Sequence, residues 1–193
     1  MQDINNQSGF LRATIIKQLF IFCLLTSPLL TKAQVGSVNT DSITKHHFTI
    51  GQISFPPKPN SLVTDYTQAT LSADEVQKLE NKLDSFSNEK TAQIAVVIMR
   101  SIGTRDIMFY GTSLAKRWGV GYKNVNNGVL VLVSLQERQA AILVGTGLEK
   151  ALPDELCHQI IQTTLIPNFR KQQYYTGLDE CTNELMKYVL AKK

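Results

Sequence analysis

Six oxygen-bearing side chains stand at positions where the sequence predicts loops or helix starts. Carboxylates and amides held on loops are the ligands that hard cations such as Ca²⁺ and Mg²⁺ prefer. The competing interpretation is helix capping and turn formation, because an acid in a first helical turn is favoured by the helix dipole in any case. Spacing alone favours capping over metal binding. The six residues are Asp65, Asn126, Asn127, Glu149, Asp154 and Glu155.

Three other motifs fail as chemical sites. Gly145-Thr146-Gly147 lacks the third glycine of a dinucleotide-binding fingerprint, and Pro153 delays the helix that should follow at once. Ser113 lies within a helical pattern rather than on the strand-to-helix turn of a nucleophile elbow. Cys157 and His158 are adjacent in a predicted helix, where neighbouring side chains point about 100° apart. The sequence therefore indicates neither a nucleotide site nor a Cys-His dyad.

Length and composition limit the class of protein. The chain has 193 residues, of which 43% are hydrophobic and 19% are charged. These values are typical of one globular domain and argue against a disordered chain. A polytopic membrane protein is disfavoured because no second long apolar run follows the N-terminal one. A formal net charge of +4 is too small to indicate a nucleic-acid-binding protein.

Residues 1–33 are predicted to be a secretory signal peptide. Basic residues precede a short apolar run at residues 19–25, and small residues precede a cleavage site after Ala33. We therefore expect export to the periplasm or the extracellular space, with no membrane span after cleavage. The competing interpretation is an uncleaved membrane anchor, which the long segment before the apolar run leaves open and the shortness of that run disfavours. Removal of this segment takes away three basic residues and one acidic residue, so the mature chain is nearly neutral and no charge-driven partner is implied.

The exported chain is expected to consist of a flexible linker, residues 34–61, and one domain, residues 62–193. The linker is rich in Pro, Ser, Thr and Asn. Two cysteines remain in the domain, Cys157 and Cys181. They could form a disulfide in an oxidising compartment. Their places on apolar helical stripes favour buried free thiols instead.

Hydrophobic periodicity predicts an α/β fold. A capping box at Ser72 and Glu75 starts a helix, and a second helix runs from about Asp106 until Gly119 stops it. A third helix opens at Pro153 and carries Leu165, a link follows at residues 168–170, and a last helix carries residues 178–189. Buried runs at 93–99 and 129–133 predict strands, and residues 139–144 return as a hairpin. The expected architecture is a three-layer α/β/α sandwich, with helices on both faces of a small mixed sheet.

Five segments resemble the TPM domain family, whose plant members are thylakoid-lumen phosphatases. The resemblance covers about residues 62–190, and the five motifs together are more specific than any one alone. In order along the chain they are Val63-Thr64-Asp65-Tyr66, Trp118-Gly119-Val120-Gly121, Asn127-Gly128-Val129-Leu130, Gly145-Thr146-Gly147-Leu148-Glu149 and Leu152-Pro153-Asp154.

The resemblance implies an α/β/α sandwich, residence outside the cytoplasm, and a site of acidic residues. Carried onto this chain, that site comprises Asp65, Asn127 and Asp154, with Asn126 standing where many members have Asp. The missing carboxylate should weaken binding of Ca²⁺ or Mg²⁺ and argues against phosphatase chemistry.

Two functions follow from this interpretation. The first is an interaction module that helps to assemble an envelope or membrane protein complex, with a divalent cation at Asp65, Asn126, Asn127 and Asp154 as a structural element at most. The second is a metal-assisted acid phosphatase with Asp65 or Asp154 as general base or nucleophile. Arg138 is the best candidate to hold a phosphate. The Asn126 departure favours the interaction module.

Overall fold

The structure, a computed structural model, describes residues 54–89 and 92–191. The predicted signal peptide, residues 1–33, and residues 34–53 of the predicted linker lie outside the described residues. The compact unit that contains the sheet begins at Phe55. None of the helices in the described part of the chain is long and apolar enough to cross a bilayer.

The described residues form a four-stranded mixed sheet in the order β1-β2-β3-β4, with β1, β2 and β3 parallel and β4 antiparallel to β3. The α/β fold class predicted from the sequence is confirmed. The strands are β1 (Val63–Asp65), β2 (Gln93–Met99), β3 (Gly128–Ser134) and β4 (Gln139–Val144), and the helices are α1 (Ala73–Asn88), α2 (Ile107–Trp118), α3 (Asp154–Ile160), α4 (Ile166–Arg170) and α5 (Tyr174–Leu190).

The helices divide unequally between the two faces of the sheet. Alternate residues of β2 and β3 pack with α1, α3 and α5 in one hydrophobic core that includes Ile94, Val131 and Leu185. On the other face α2 packs against β3 and β4. Gly111 permits this approach, because a Cβ at that position would lie 2.7 Å from Leu143 Cδ2. The sandwich therefore has several helices on one side and one helix on the other.

Two helix boundaries follow from side-chain caps, as the sequence predicts. The Ser72 hydroxyl accepts a hydrogen bond from the Glu75 amide at 3.3 Å, and the Glu75 carboxylate accepts one from the Ser72 amide at 2.7 Å. Asp106 caps α2 by accepting from the Phe109 amide at 2.8 Å, and Gly119 ends that helix at a φ of 61°. Both helix starts and the glycine stop are confirmed.

The first strand has no clear signal in the sequence. β1 is only three residues long, too short to show alternation. It forms because it pairs with β2 and because the Glu80 carboxylate of α1 accepts from the amides of Leu62 and Val63 at 2.8 and 2.7 Å. A long-range contact, rather than local propensity, thus defines the strand.

The prediction that residues 168–170 form a link between two helices is wrong. The chain stays helical through Arg170, passes through a π-helical turn at Ile161–Leu165, and turns only at residues 171–173. Pro167 has no N–H, and in a regular α-helix its ring would meet the carbonyl of Thr163. The wider π-turn that precedes it lets the helix continue.

The cysteines of the domain are both buried and both free. Burial raises the pKa of Cys157 and of Cys181 to about 12 in each case. Because only the thiolate reacts with disulfide reagents, both groups should be inert in the folded protein.

We expect an aromatic disulfide reagent at pH 8 to modify neither cysteine of the folded domain, and to modify both rapidly after denaturation. At a pKa of about 12 the thiolate fraction at pH 8 is only about one in ten thousand, and burial blocks access as well. Comparing the labelling rates in buffer and in urea measures the difference. Rapid labelling of one thiol in buffer would show that its helix opens locally.

Candidate functional site

The Asn-rich turn predicted as a cation loop lies at the amino end of β3. Asn127 is buried, and its side-chain Oδ1 accepts from the Tyr122 amide at 2.9 Å. Its backbone carbonyl accepts from the Gln93 amide at 3.1 Å. Asn126 is exposed and has a φ of 52°, a conformation that Asn tolerates better than most residues. The Asn127 side chain therefore closes its own loop.

Four glycines let the neighbouring loops cross in direct backbone contact. A Cβ on Gly145 would lie 2.2 Å from the Asn126 carbonyl oxygen, and one on Gly147 would lie 2.1 Å from that of Val125. A Cβ on Gly128 would lie 2.1 Å from the carbonyl oxygen of Val120, and one on Gly121 would lie 2.5 Å from the Gly128 nitrogen. These distances leave no room for any side chain. Three of the five resemblance motifs thus meet here, and close packing explains their glycines.

Asp65 is the last residue of β1 and lies at the opposite end of the sheet. Its carboxylate accepts four hydrogen bonds from its own loop, with donor-acceptor distances of 2.6 to 3.0 Å. The donors are the amides of Thr67, Thr70 and Leu71 and the Thr67 hydroxyl. The side chain therefore holds the turn that leads into α1, which is the capping role that competed with metal binding.

The strand register shows that the predicted cation ligands do not all meet. Asp65 is level with Ile98 of β2, whereas Gly128 is level with Gln93. Five residues of extended strand separate those levels, which is about 16 Å. Asp65 therefore lies far from Asn126 and Asn127.

The remaining acidic candidates follow β4, which ends beside the start of β3. Asp154 opens α3 and is exposed, like Glu149 and Glu155. Among the described residues, no three His, Cys, Asp or Glu side chains come close enough to hold a metal ion. The structure thus places Asn126 and Asn127 together, and it brings no carboxylate cluster to them.

The carboxyl ends of the parallel strands carry a network that the sequence analysis missed. The Glu137 carboxylate, in the β3-β4 turn, accepts from the hydroxyls of Ser101 and Ser134 and from the Ile102 amide, the last at 3.2 Å. Partial burial alone would raise the pKa of Glu137, but these hydrogen bonds together hold it below its ordinary value. The network joins the loop after β2 to the turn after β3. Ser134 is near Glu137 in sequence, but Ser101 and Ile102 are about 35 residues away, so no local motif predicts the network.

A cleft of about 300 Å³ opens at the same end of the sheet. It lies between the Asp65 loop, the end of β2, the β3-β4 turn and the start of α5, and Arg100, Gln136 and Tyr174 are among its lining residues. The carboxyl end of parallel strands is the usual ligand site in open α/β sheets. The hydroxyls of Thr67 and Thr70 line it, but Thr67 donates to Asp65 and Thr70 must then donate to Thr67 at 2.6 Å. Both hydroxyl protons are therefore engaged within the wall.

Comparison with known proteins identifies the family. The TPM domain model matches residues 63–188, so the chain belongs to the TPM domain family. No protein of curated function matches the chain.

Three solved structures are similar to this chain. The N-terminal domain of a protein from P. gingivalis is 32% identical, with a TM-score of 0.62 over 68% of this chain and 83% of that chain. The N-terminal domain of the cg2496 protein from Corynebacterium glutamicum is 16% identical, with a TM-score of 0.52 over 72% and 83%. The BA42 protein from Bizionia argentinensis is 15% identical, with a TM-score of 0.51 over 62% and 81%. The last two are similar to this chain in fold alone.

The glycine crossing generates a stability prediction. We expect Gly145→Ala to lower the free energy of unfolding by about 3 kcal/mol, the upper end for overpacking, because its Cβ would meet the Asn126 carbonyl oxygen. Gly119→Ala is the matched control, since its φ of 61° is strained for Ala but nothing lies within 4 Å of the new Cβ. There we expect a loss of about 1 kcal/mol. Urea unfolding measures both, and equal losses would contradict the packing argument.

The Glu137 network generates a pH prediction. We expect Glu137→Gln to lower stability at pH 7 by about 1 kcal/mol, which is less than a buried charge-assisted hydrogen bond contributes because solvent screens this half-exposed carboxylate. Because the pKa of Glu137 is lowered in the folded protein, its stabilisation is present above the ordinary value of 4.5 and is lost as the pH falls through the lowered value. The gap between wild type and variant should therefore narrow as the pH falls below 4.5.

Urea unfolding from pH 7 to pH 3 measures this gap. Glu149→Gln, at an exposed carboxylate, is the control and should give a small difference at every pH. A Glu137→Gln gap that stayed constant down to pH 3 would rule out the charged hydrogen bonds as its source.

Proposed function

We propose that this TPM-domain protein is exported and acts as an interaction module within an envelope or membrane protein complex. One observation carries the proposal: two of the three polar residues that the family resemblance singles out, Asp65 and Asn127, are engaged in holding loops. Asp65 accepts four hydrogen bonds from its own turn, and Asn127 is buried against Tyr122. Export is supported by the pattern of residues 1–33 alone.

The acid phosphatase alternative fits the geometry less well. A cation at Asp65, Asn126, Asn127 and Asp154 would require ligands from both ends of a strand about 16 Å long. Asp65 would also have to exchange hydrogen bonds within its loop for the metal. These four residues do not fit one Ca²⁺ or Mg²⁺ site, so we derive no catalytic step through a metal.

A turnover experiment separates the two functions. We expect the wild-type protein with millimolar Ca²⁺ or Mg²⁺ to hydrolyse p-nitrophenyl phosphate no faster than Asp65→Asn or Asp154→Asn. Thermal unfolding must first show that all three proteins are folded at the assay temperature. A wild-type rate at least tenfold above that of both variants would replace the interaction module with the phosphatase.

The interaction itself is tested by cross-linking in the native envelope, followed by reconstitution of the purified complex. Under our proposal one partner is recovered reproducibly and forms a stoichiometric complex in size-exclusion chromatography. Failure of the recovered partner to bind in purified form would contradict the proposal.

A further inference from the structure

Residues 55–60 form an extended strap that lies against the outer side of the sheet beside α2. The Phe55 ring packs on the Tyr110 ring with 5.0 Å between centroids. The Trp118 indole N–H donates to the Pro56 carbonyl at 3.0 Å, and the Tyr66 hydroxyl donates to the Pro57 carbonyl at 3.5 Å. An aromatic groove formed by Tyr66, Tyr110 and Trp118 thus holds the strap through two backbone carbonyls and one ring.

The chemistry of this groove is that of proline-rich peptide recognition. Pro56-Pro57-Lys58-Pro59 is a P-x-x-P sequence, in which proline fixes φ near the polyproline II value. Domains that bind such segments use aromatic-lined grooves, because a preformed extended segment loses little entropy when it docks. The same elements are present here within one chain.

The strap does not fill the groove. A half-open cavity of about 270 Å³ remains beside its second half, lined by residues 58–62 and by Gln93, Ala95, Trp118 and Val120. That volume could hold a large side chain, but Asn60 and Ser61 are small. A segment with the same backbone path and a bulkier apolar residue near the Asn60 position would bury more surface.

We propose that this groove is a binding site for an extended, proline-containing segment of a partner protein, and that the strap is the resident segment which the partner displaces. The unfilled cavity favours a foreign segment over the strap of a second copy, which would leave the same space. The inference rests on the proposed interaction function and names the class of partner for it.

The strap competes with a free peptide for the groove and so lowers the affinity that a binding experiment measures. A tethered segment acts at an effective concentration of the order of millimolar, so a free peptide binds more weakly than its intrinsic affinity. Weakening the strap without changing the groove should therefore strengthen peptide binding. Phe55→Ala does so, because Phe55 belongs to the strap and loses one aromatic pair.

The probe is a capped peptide with the sequence of residues 54–61, and a second version carries Asn60→Leu. Trp118 is the single tryptophan of the chain, so its fluorescence and its indole N–H resonance report on the groove. In the Phe55→Ala full-length protein we expect saturable shifts toward the wild-type spectrum, with an affinity roughly tenfold above that for wild type. The Asn60→Leu peptide should bind several times more tightly than the first.

Two controls make the outcome decisive. Phe109→Ala removes a ring of α2 that is 60% exposed, and it should bind peptide like wild type. A peptide with all three prolines replaced by alanine should bind at least fivefold more weakly. Pro57→Gly is a second way to loosen the strap if Phe55→Ala unfolds the domain.

Three results would overturn the inference. The first is the absence of any Trp118 shift at about 1 mM peptide, and the second is equal binding of the alanine peptide. The third is a dimer that grows with protein concentration and keeps Trp118 in its docked state, because the occupant would then be a second copy. A native complex that persists without peptide binding would reject the groove and leave the interaction function intact.

Discussion

The close crossing of three loops at the amino end of β3 is the constraint on which the rest of the domain depends. There the chain enters β3, leaves β4 and returns from α2, and backbone meets backbone at Gly121, Gly128, Gly145 and Gly147. If one of these loops moved outward, β3 would lose its entry point between β2 and β4. Both faces of the sheet would then lose the strand that contributes most to the core.

This packing constraint explains the family motifs without a ligand. Two of these motifs, Gly-Leu-Glu and Asn-Asn-Gly, suggest binding loops in the sequence, because glycine and amide residues often surround ligands. Here the amide of Asn127 completes a loop and the glycines remove side chains from a crossing. A packing requirement of this strength can preserve a motif without any catalysis, which is why family resemblance indicates the fold more directly than the activity.

The sequence was sufficient for features that depend on nearby residues. The Ser72-Glu75 capping box, the Gly119 stop and the β3-β4 hairpin are all local, and each forms where predicted. Features created by distant contacts were not predictable: β1 exists because Glu80 binds its amides. The Glu137 network likewise joins two segments that are distant in sequence, residues 101–102 and residues 134–137. The candidate site failed to assemble for the same reason, since the sequence does not say at which end of a strand each loop will lie.

Among the described helices, only α2 covers the outer face of the sheet, so the strap must cover the part of that face that α2 leaves open. An α-helix is about 10 Å wide and strands are about 4.8 Å apart, so α2 can cover about two strands, and it lies on β3 and β4. The outward residues of β2, Ala95 and Val97, are nevertheless almost fully buried, and the strap lies beside α2 at this position. Exposing them would lose hydrophobic stabilisation, so the groove favours exchange of one extended segment for another over an empty state. A surface that must always be covered, by a segment that does not fill it, is well suited to recognise a partner by displacement.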